Sequence, residues 1–376
     1  MFLCNRHIKE REFMKITRKL LTDIHFTEIA NDIFREDVIF FDIETTGFSP
    51  ARTSLYLIGC ATRDQSGVCI TQFFAEQKEE QSQILSEFMN LLSHYQTIIT
   101  FNGLGFDIPY LKAKCHEFEI PEQFDSFHFI DIFKSVSKLK FLLNLPNYKQ
   151  KTIETFLEID REDTYTGGEL IEIYHNYCLH PEKEALQLLL LHNYEDVLGM
   201  LDLLPVLSYG EFFRGNYQIS DCQILNDDTF SESSVFSLTI HLKYAFPQKV
   251  SCQLPQLFLQ GNQNEVILSI PVYVGELHFF YDNYKDYYYL PAEDVAIHKS
   301  VAAFVDKEFR EKAKASNCYT RKEGQFLPQF ESIITPEFKE NRNDRISYFE
   351  LTDEWLNSGV QLHNYIQHLL HHALRT

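Results

Sequence analysis

Apolar residues recur along this chain with two spacings, and the changes between them divide it into elements. Before residue 36, ITRKLL and FTEIANDIF carry apolar residues three and four apart, which predicts one or two short helices in a helical extension over 1–36. Residues 38–41 are four apolar residues in a row, the run of a strand buried on both faces, and they lead into Asp42 and Glu44. At the two-residue period of a strand those two carboxylates share one face. A loop marked by Gly47 and Pro50 follows, and then LYLIGCAT and GVCITQFF, a predicted hairpin around RDQSG. Over 79–94, Ile84, Leu85, Phe88, Leu91 and Leu92 recur at helical steps, and TIITFNG is a returning strand that stops at a glycine turn. Asp107 opens a helix with Pro109 in its first turn, and PEKEALQLLLLHNYEDVLGMLDLLPVL is a long, strongly apolar helix. Together these predict an α/β domain over 37–207, a mixed sheet flanked by helices.

Beyond it, 208–234 is polar and turn-rich and is expected to be a linker. Residues 235–376 are expected to form an α+β domain of unassigned role. There, EVILSIPVYVGELHFFY and YYYLP predict a hairpin, 294–315 a helix, CYTRKEGQFLPQF a second hairpin, and the segment with Trp355, Leu362, Ile366 and Leu369 a last helix.

Composition narrows the function classes. With 54 acidic residues against 34 lysines and arginines, the formal charge is −20, so any contact with a polyanion has to be local. Eight scattered cysteines contain no CxxC pair, which points away from a zinc site or a disulfide framework and fits a reducing, cytoplasmic setting. The first twenty residues are too charged for a signal peptide, and no stretch has the length and hydropathy of a bilayer span.

The acids matter as a set. Asp42 and Glu44 alone read as a strand ending in solvated charge, although like charges at the edge of a core raise each other's pKa unless a cation binds them. Asp107 alone reads as a helix N-cap, but it stands at a strand-to-helix junction where loops gather at one end of a sheet. His192 and Asp196 are four apart on one helix face while Tyr194 points away, and Glu195 and Asp202 fit a solvent stripe.

DIETTG, NGLGFD and HNYED, in that order within about one domain length, resemble the DEDD superfamily of 3′-to-5′ exonucleases with the ribonuclease-H-like fold. LPNYKQKTIETFLEI and YTGGELIEIYHNY place the resemblance nearest to its YprB-like bacterial branch. It spans about 37–207. It implies that Asp42, Glu44, Asp107 and Asp196 bind two Mg²⁺ or Mn²⁺ ions and that the reaction is phosphodiester hydrolysis on DNA or RNA, with a single-stranded 3′ end as substrate. One departure stands out. Superfamily members carry a Tyr four residues before the last Asp or a His five before it, whereas here His192 is four before and Leu191 five before. His192, an imidazole able to take a proton near neutrality, is the candidate general base. The alternative is a nucleic-acid-binding module on a nuclease fold; the complete acid set favours the enzyme.

Substrate contacts are open between two readings. Thr45, Thr46, Gly47 and Asn102 are candidates for positioning a terminal nucleotide. Lys112, Lys114, Lys134, Lys138, Lys140, Lys149 and Lys151, spread among aromatic residues such as Phe124, Phe127 and Tyr148, form either a phosphate track or a solvated face over a core. Near the C-terminus His368 and His372 have metal-capable spacing but no acids beside them, and are expected at a solvated helix end.

Overall fold

The computed structural model describes residues 14–160, 165–226 and 234–375. The chain divides into two compact units. The first holds the described residues through Lys140 and those of Asn144–Gly210; the second holds Phe141–Leu143 and the described residues from Glu211 onward.

In the first unit, β1 (Lys15–Leu21), β2 (Val38–Thr45), β3 (Leu55–Asp64), β4 (Gly67–Phe74), β5 (Thr97–Thr100) and β6 (His128–Asp131) form one sheet in the order β1-β4-β3-β2-β5-β6. β2–β5 and β5–β6 are parallel and the other pairs antiparallel. This is the mixed sheet that the hydropathy pattern predicts. Its helices are α1 (Glu28–Ile33), α2 (Gln81–Leu92), α3 (Asp107–Glu117), α4 (Ile132–Ser137), α5 (Lys140–Leu143), α6 (Gln150–Phe156), α7 (Gly167–Leu179), α8 (Lys183–Asp202) and α9 (Leu207–Phe213), of which α5 and α9 straddle the division between the units. Strand alternation sorts the faces of β2. Ile39, Phe41 and Ile43 join the core with Ile84, Leu85 and Phe88 of α2 and Ile108 and Leu111 of α3, so Asp42 and Glu44 fall on the opposite face, toward α8.

One expectation fails here. ITRKLL is strand β1, not a helix, and only the FTEIANDIF segment is helical, as α1. As an edge strand β1 bonds β4 along one side, and Ile16 and Leu20 remain 39% and 53% exposed, so their helix-like spacing marks no buried face. The rest of the expected extension, residues 1–13, lies outside the described residues.

In the second unit, β7 (Tyr217–Asn226), β8 (Ser234–Leu254), β9 (Leu257–Phe280), β10 (Tyr287–Leu290), β11 (Val295–His298), β12 (Glu311–Lys312), β13 (Tyr319–Gln329) and β14 (Ser347–Glu350) make two antiparallel sheets, β14-β13-β9-β8-β7 and β11-β10-β12. Helices α10 (Lys299–Ala302), α11 (Asp353–Leu356) and α12 (Gly359–Ala373) accompany them. The last helix is where the pattern places it, with Leu362, Ile366 and Leu369 buried and Tyr365 donating to the Pro328 carbonyl at 2.8 Å.

Four details differ from expectation. The span 208–234 is largely structured where described: α9 runs to Phe213 and β7 pairs with β8, while 227–233 lies outside the described residues. β7 alternates inside and outside, but a register shift between Ile219 and Asp221 breaks the period and hides the strand in the sequence. The span 294–315 is not one helix; it passes through β11, α10 and β12, and Val301, Phe304 and Phe309 stay exposed, so their spacing reports no packed face. β9 pairs with β8 and β13, whereas YYYLP pairs with β11 and β12, and CYTRKEGQFLPQF is the single strand β13. His368 is not at a solvated end: its Nε2 accepts the Phe330 N–H at 2.9 Å, and His372 stacks on the Phe330 ring at 3.5 Å. Among the described residues no helix is long and apolar enough to cross a membrane.

Candidate active site

Three remote segments bring their polar residues to the end of β2. Glu44 on β2 and His192 and Asp196 on α8 form the tightest group: one ligand atom from each lies within 4.8 Å of the others. His192 Nε2 is 3.2 Å from Asp196 Oδ2 and 3.6 Å from Glu44 Oε1, and its ring is buried. The four-residue helical step sets His192 and Asp196 together, and the two-residue strand step turns Glu44 toward them. Tyr194 points away from them, its ring under Lys19 Nζ at 4.3 Å.

Asp42 stands beside this group. Its carboxyl is held well above the ordinary range, first by desolvation among packed neighbours and then by the negative charges of Asp107, Asp196 and Glu44; a hydrogen bond from Asn193 opposes the rise. Asp107 comes from the third segment. It is the first residue of α3 rather than its cap, and is buried. Burial pushes its carboxyl up to about 7, opposed by hydrogen bonds from its own N–H and that of Ile43 and helped by the nearby charge of Asp131. The Ile43 bond ties α3 to the strand residue between Asp42 and Glu44. All five sequence candidates, Asp42, Glu44, Asp107, His192 and Asp196, are thus linked by contact or by charge.

Several participants were invisible in the sequence. The Tyr56 hydroxyl on β3 hydrogen-bonds Glu44, and its ring stacks on Tyr174 at 4.2 Å. Asp131 at the end of β6 accepts the N–H groups of Asn102, Leu104 and Lys134 at 3.1, 3.3 and 3.1 Å, so one buried carboxylate shapes the loop before Asp107 and caps α4. Asn102, expected to position a nucleotide, takes a left-handed backbone (φ 61°) and spends its N–H on Asp131. Gln150 on α6 donates to the Asp196 carbonyl at 3.0 Å and to Glu154 at 2.9 Å. Gly199 leaves the space that the Glu154 carboxylate fills, because a Cβ there would lie 2.4 Å from its Oε1. The loop after β2 is laced by hydroxyls: Thr45 and Thr53 donate to the Gly47 carbonyl, and Ser54 N–H donates to Thr46 Oγ1. At its tip Phe48 is 89% exposed, edge-on to Phe106 at 5.9 Å, and Phe106 in turn touches Tyr110.

The proposed lysine track is interrupted. Lys114 is buried against Glu117 at 2.8 Å, Lys112 pairs with Asp125 at 2.5 Å, and Lys151 donates to the Tyr165 carbonyl. Phe124, Phe127 and Tyr148 are core residues, not stacking surfaces.

Residues 39–208 match the sequence model of the RNase_H superfamily. No curated protein matches the chain. Among solved structures, it is similar to the family B DNA polymerase from the hyperthermophilic archaeon Pyrobaculum calidifontis, at 17% identity and a TM-score of 0.37, covering 45% of this chain and 24% of that one. It is also similar to E. coli Exonuclease I in complex with a dT13 oligonucleotide, at 11% identity and a TM-score of 0.32, covering 54% of each chain. The chain therefore spans little more than half of either relative's length at most. The first unit has a ribonuclease-H-like α/β fold, and a second, antiparallel-sheet unit follows it.

Proposed function

We propose that this protein is a metal-dependent nuclease of the DEDD type, a 3′-to-5′ exonuclease that works on single-stranded ends of DNA or RNA. The observation that carries the reading is the convergence of Asp42, Glu44, Asp107 and Asp196, with His192 between two of them, from three remote segments onto one end of β2. A fold gains no stability from gathering acids at a buried strand end, where burial and the charges of Asp107, Asp196 and Glu44 raise the Asp42 carboxyl; a divalent cation removes that penalty.

The donor set fits hard cations. Asp42, Glu44, Asp107 and Asp196 supply carboxylate oxygens, the ligand type that suits Mg²⁺ and Mn²⁺, and would hold two ions. When bound, such ions lower the pKa of water and stabilise the leaving oxygen of a phosphodiester. The protein's own groups do the rest. His192 accepts the proton of the attacking water, and Asp196 and Glu44, 3.2 and 3.6 Å from its Nε2, stabilise the imidazolium that results. The Tyr56 hydroxyl hydrogen-bonds the Glu44 carboxylate. Phe48 offers an exposed ring face to a terminal base, which any base can stack on.

The test incubates the full chain with 5′-labelled single- and double-stranded DNA and RNA in Mg²⁺, Mn²⁺ or EDTA. The expected result is a ladder shortening from the 3′ end with either metal, absent in EDTA and in Asp42→Asn and Asp196→Asn. A wild-type chain that leaves every substrate intact in both metals, or the two variants cutting at the wild-type rate, would end this reading.

A further inference from the structure

Across four strands one row of residues lies in register: Asp42 opposite Gly59, Gly59 opposite Gln72, and Gln72 opposite Thr17. Over the glycine in that row sits Asn193 of α8, fully buried. Its Nδ2 donates to Asp42 Oδ2 at 3.3 Å and lies 3.5 Å from the Asp42 carbonyl oxygen, and its Oδ1 accepts from Gln72 Nε2 at 3.0 Å. Gln72 Nε2 also donates to the Leu190 carbonyl at 2.8 Å, while Gln72 Oε1 accepts the Thr17 hydroxyl at 3.2 Å. The room for all this is Gly59: a Cβ there would stand 1.9 Å from Asn193 Oδ1, which no side-chain adjustment in a packed interior absorbs.

The orientation of each amide follows from donor accounting. A backbone carbonyl only accepts, so the Leu190 oxygen forces Gln72 to present its NH₂ group. The second hydrogen of that group requires an acceptor, so Asn193 presents Oδ1 to Gln72 and therefore its own NH₂ to Asp42. Direction passes from a fixed main-chain oxygen through two buried amides to one oxygen of Asp42. Flipping either amide would set two donors or two acceptors face to face, at the cost of a buried unmade hydrogen bond, roughly 1–3 kcal/mol.

We infer that Asn193 is a positioning residue of the acid centre: it pins Oδ2 of Asp42, so fixing the carboxylate that would hold a cation, and seats α8 over Gly59 so that its neighbours His192 and Asp196 reach Glu44. The inference rests on the metal reading of the site given above. The Asn193 amide is spent on Asp42 and Gln72, so its effect on a bound cation would pass through Asp42. Partners of this kind, one step out from a ligand, are typically worth 10- to 100-fold in metal affinity.

Mn²⁺ titration of the full chain, by calorimetry and by the spin-resonance signal of free Mn²⁺, tests it without reference to turnover. Asn193→Leu keeps the volume and removes the donor, and is expected to weaken Mn²⁺ binding about tenfold or more. Gln72→Met frees the Asn193 amide to flip and should give a smaller loss, while Thr17→Val, which cuts a bond that does not set the direction, should bind as wild type does. A merely structural role would lower the melting temperature of the variants and leave Mn²⁺ affinity unchanged in the folded fraction. Affinity within twofold of wild type in folded Asn193→Leu overturns the inference; if that variant does not fold, wild-type affinity in Gln72→Met overturns it. A wild-type chain that binds no Mn²⁺ is a separate result, which removes the metal reading itself and this inference with it.

Discussion

Replacing Asp107 with asparagine should stabilise the metal-free protein, and more so as the pH rises. In the folded chain this carboxyl titrates at about 7, against an ordinary value of 3.8, chiefly because it is buried. A carboxyl whose folded pKa is raised keeps its proton longer in the native state than in the unfolded one. Its contribution to stability is therefore full below the unfolded value and is lost as pH climbs to the folded one. Each pH unit in that window removes about 1.4 kcal/mol. Between pH 5 and pH 8 the wild type should lose about 3 kcal/mol from this group alone. The Asp107→Asn variant, whose amide still offers a carbonyl oxygen to the Ile43 N–H, loses none. For a unit of roughly 200 residues this corresponds to a melting-temperature gap that widens by about 5–10 °C. Scanning calorimetry of both proteins in EDTA at the two pH values measures it. Saturating Mg²⁺ or Mn²⁺ should reverse the order, since a ligand at a hundred times its Kd adds about 2.7 kcal/mol to whichever protein binds it. A gap of equal size at pH 5 and pH 8, or a variant less stable than wild type at pH 8, would show that the acid cluster is not the burden described.

Three further outcomes are expected. His192→Ala should slow single turnover roughly a hundredfold and flatten the acid limb of the rate profile, whereas His192→Tyr keeps most of the rate if the side chain only orients water; an unchanged profile in the Ala variant removes the general-base role. Asp131→Ala should cost about 2–3 kcal/mol, from a lost helix cap and two uncapped loop N–H groups, and lower the urea midpoint of the first unit accordingly. His368 is held below its ordinary 6.5, first by burial, so the unfolded chain protonates before the folded one. The second unit should lose stability as pH falls below about 6.5, and His368→Gln, which retains an acceptor for the Phe330 N–H, should shrink that loss; equal pH slopes in urea titrations of the two proteins would contradict it.

How much of this was legible in the sequence depends on whether the signal is local. The central strand and its acids were readable because β2 is apolar on both faces until Asp42, and because helical and strand periods bring His192 to Asp196 and Asp42 to the same face as Glu44. β1 and β7 were not. Both are edge strands: β1 leaves Ile16 and Leu20 in solvent, and the irregularity in β7 interrupts its alternation. The 294–315 segment misled for the same reason, since Phe304 is 92% exposed and marks no core. Within the site, what escaped was whatever depends on cross-strand register. Gly59 and Gln72 acquire meaning only when β3 and β4 are laid beside Asp42, and Tyr56 only when β3 carries it to Glu44. Asn193 sits inside the motif HNYED, yet the role inferred for it follows from partners far away in the chain.

That distance bears on how the protein is made. Asn193 and Asp42 are 151 residues apart, and α8 is the last element of its unit to supply a candidate ligand. A growing polypeptide that has released β2 and α3 carries Asp42, Glu44 and Asp107 but neither His192 nor Asp196, nor the amide that orients Asp42. The proposed cation-binding centre closes only when the whole ribonuclease-H-like unit has left the ribosome and α8 has docked across β2 and β3. Translation stalled upstream of α8 thus yields a fragment without the proposed centre, and completion of α8, not the start of synthesis, sets when that centre can form.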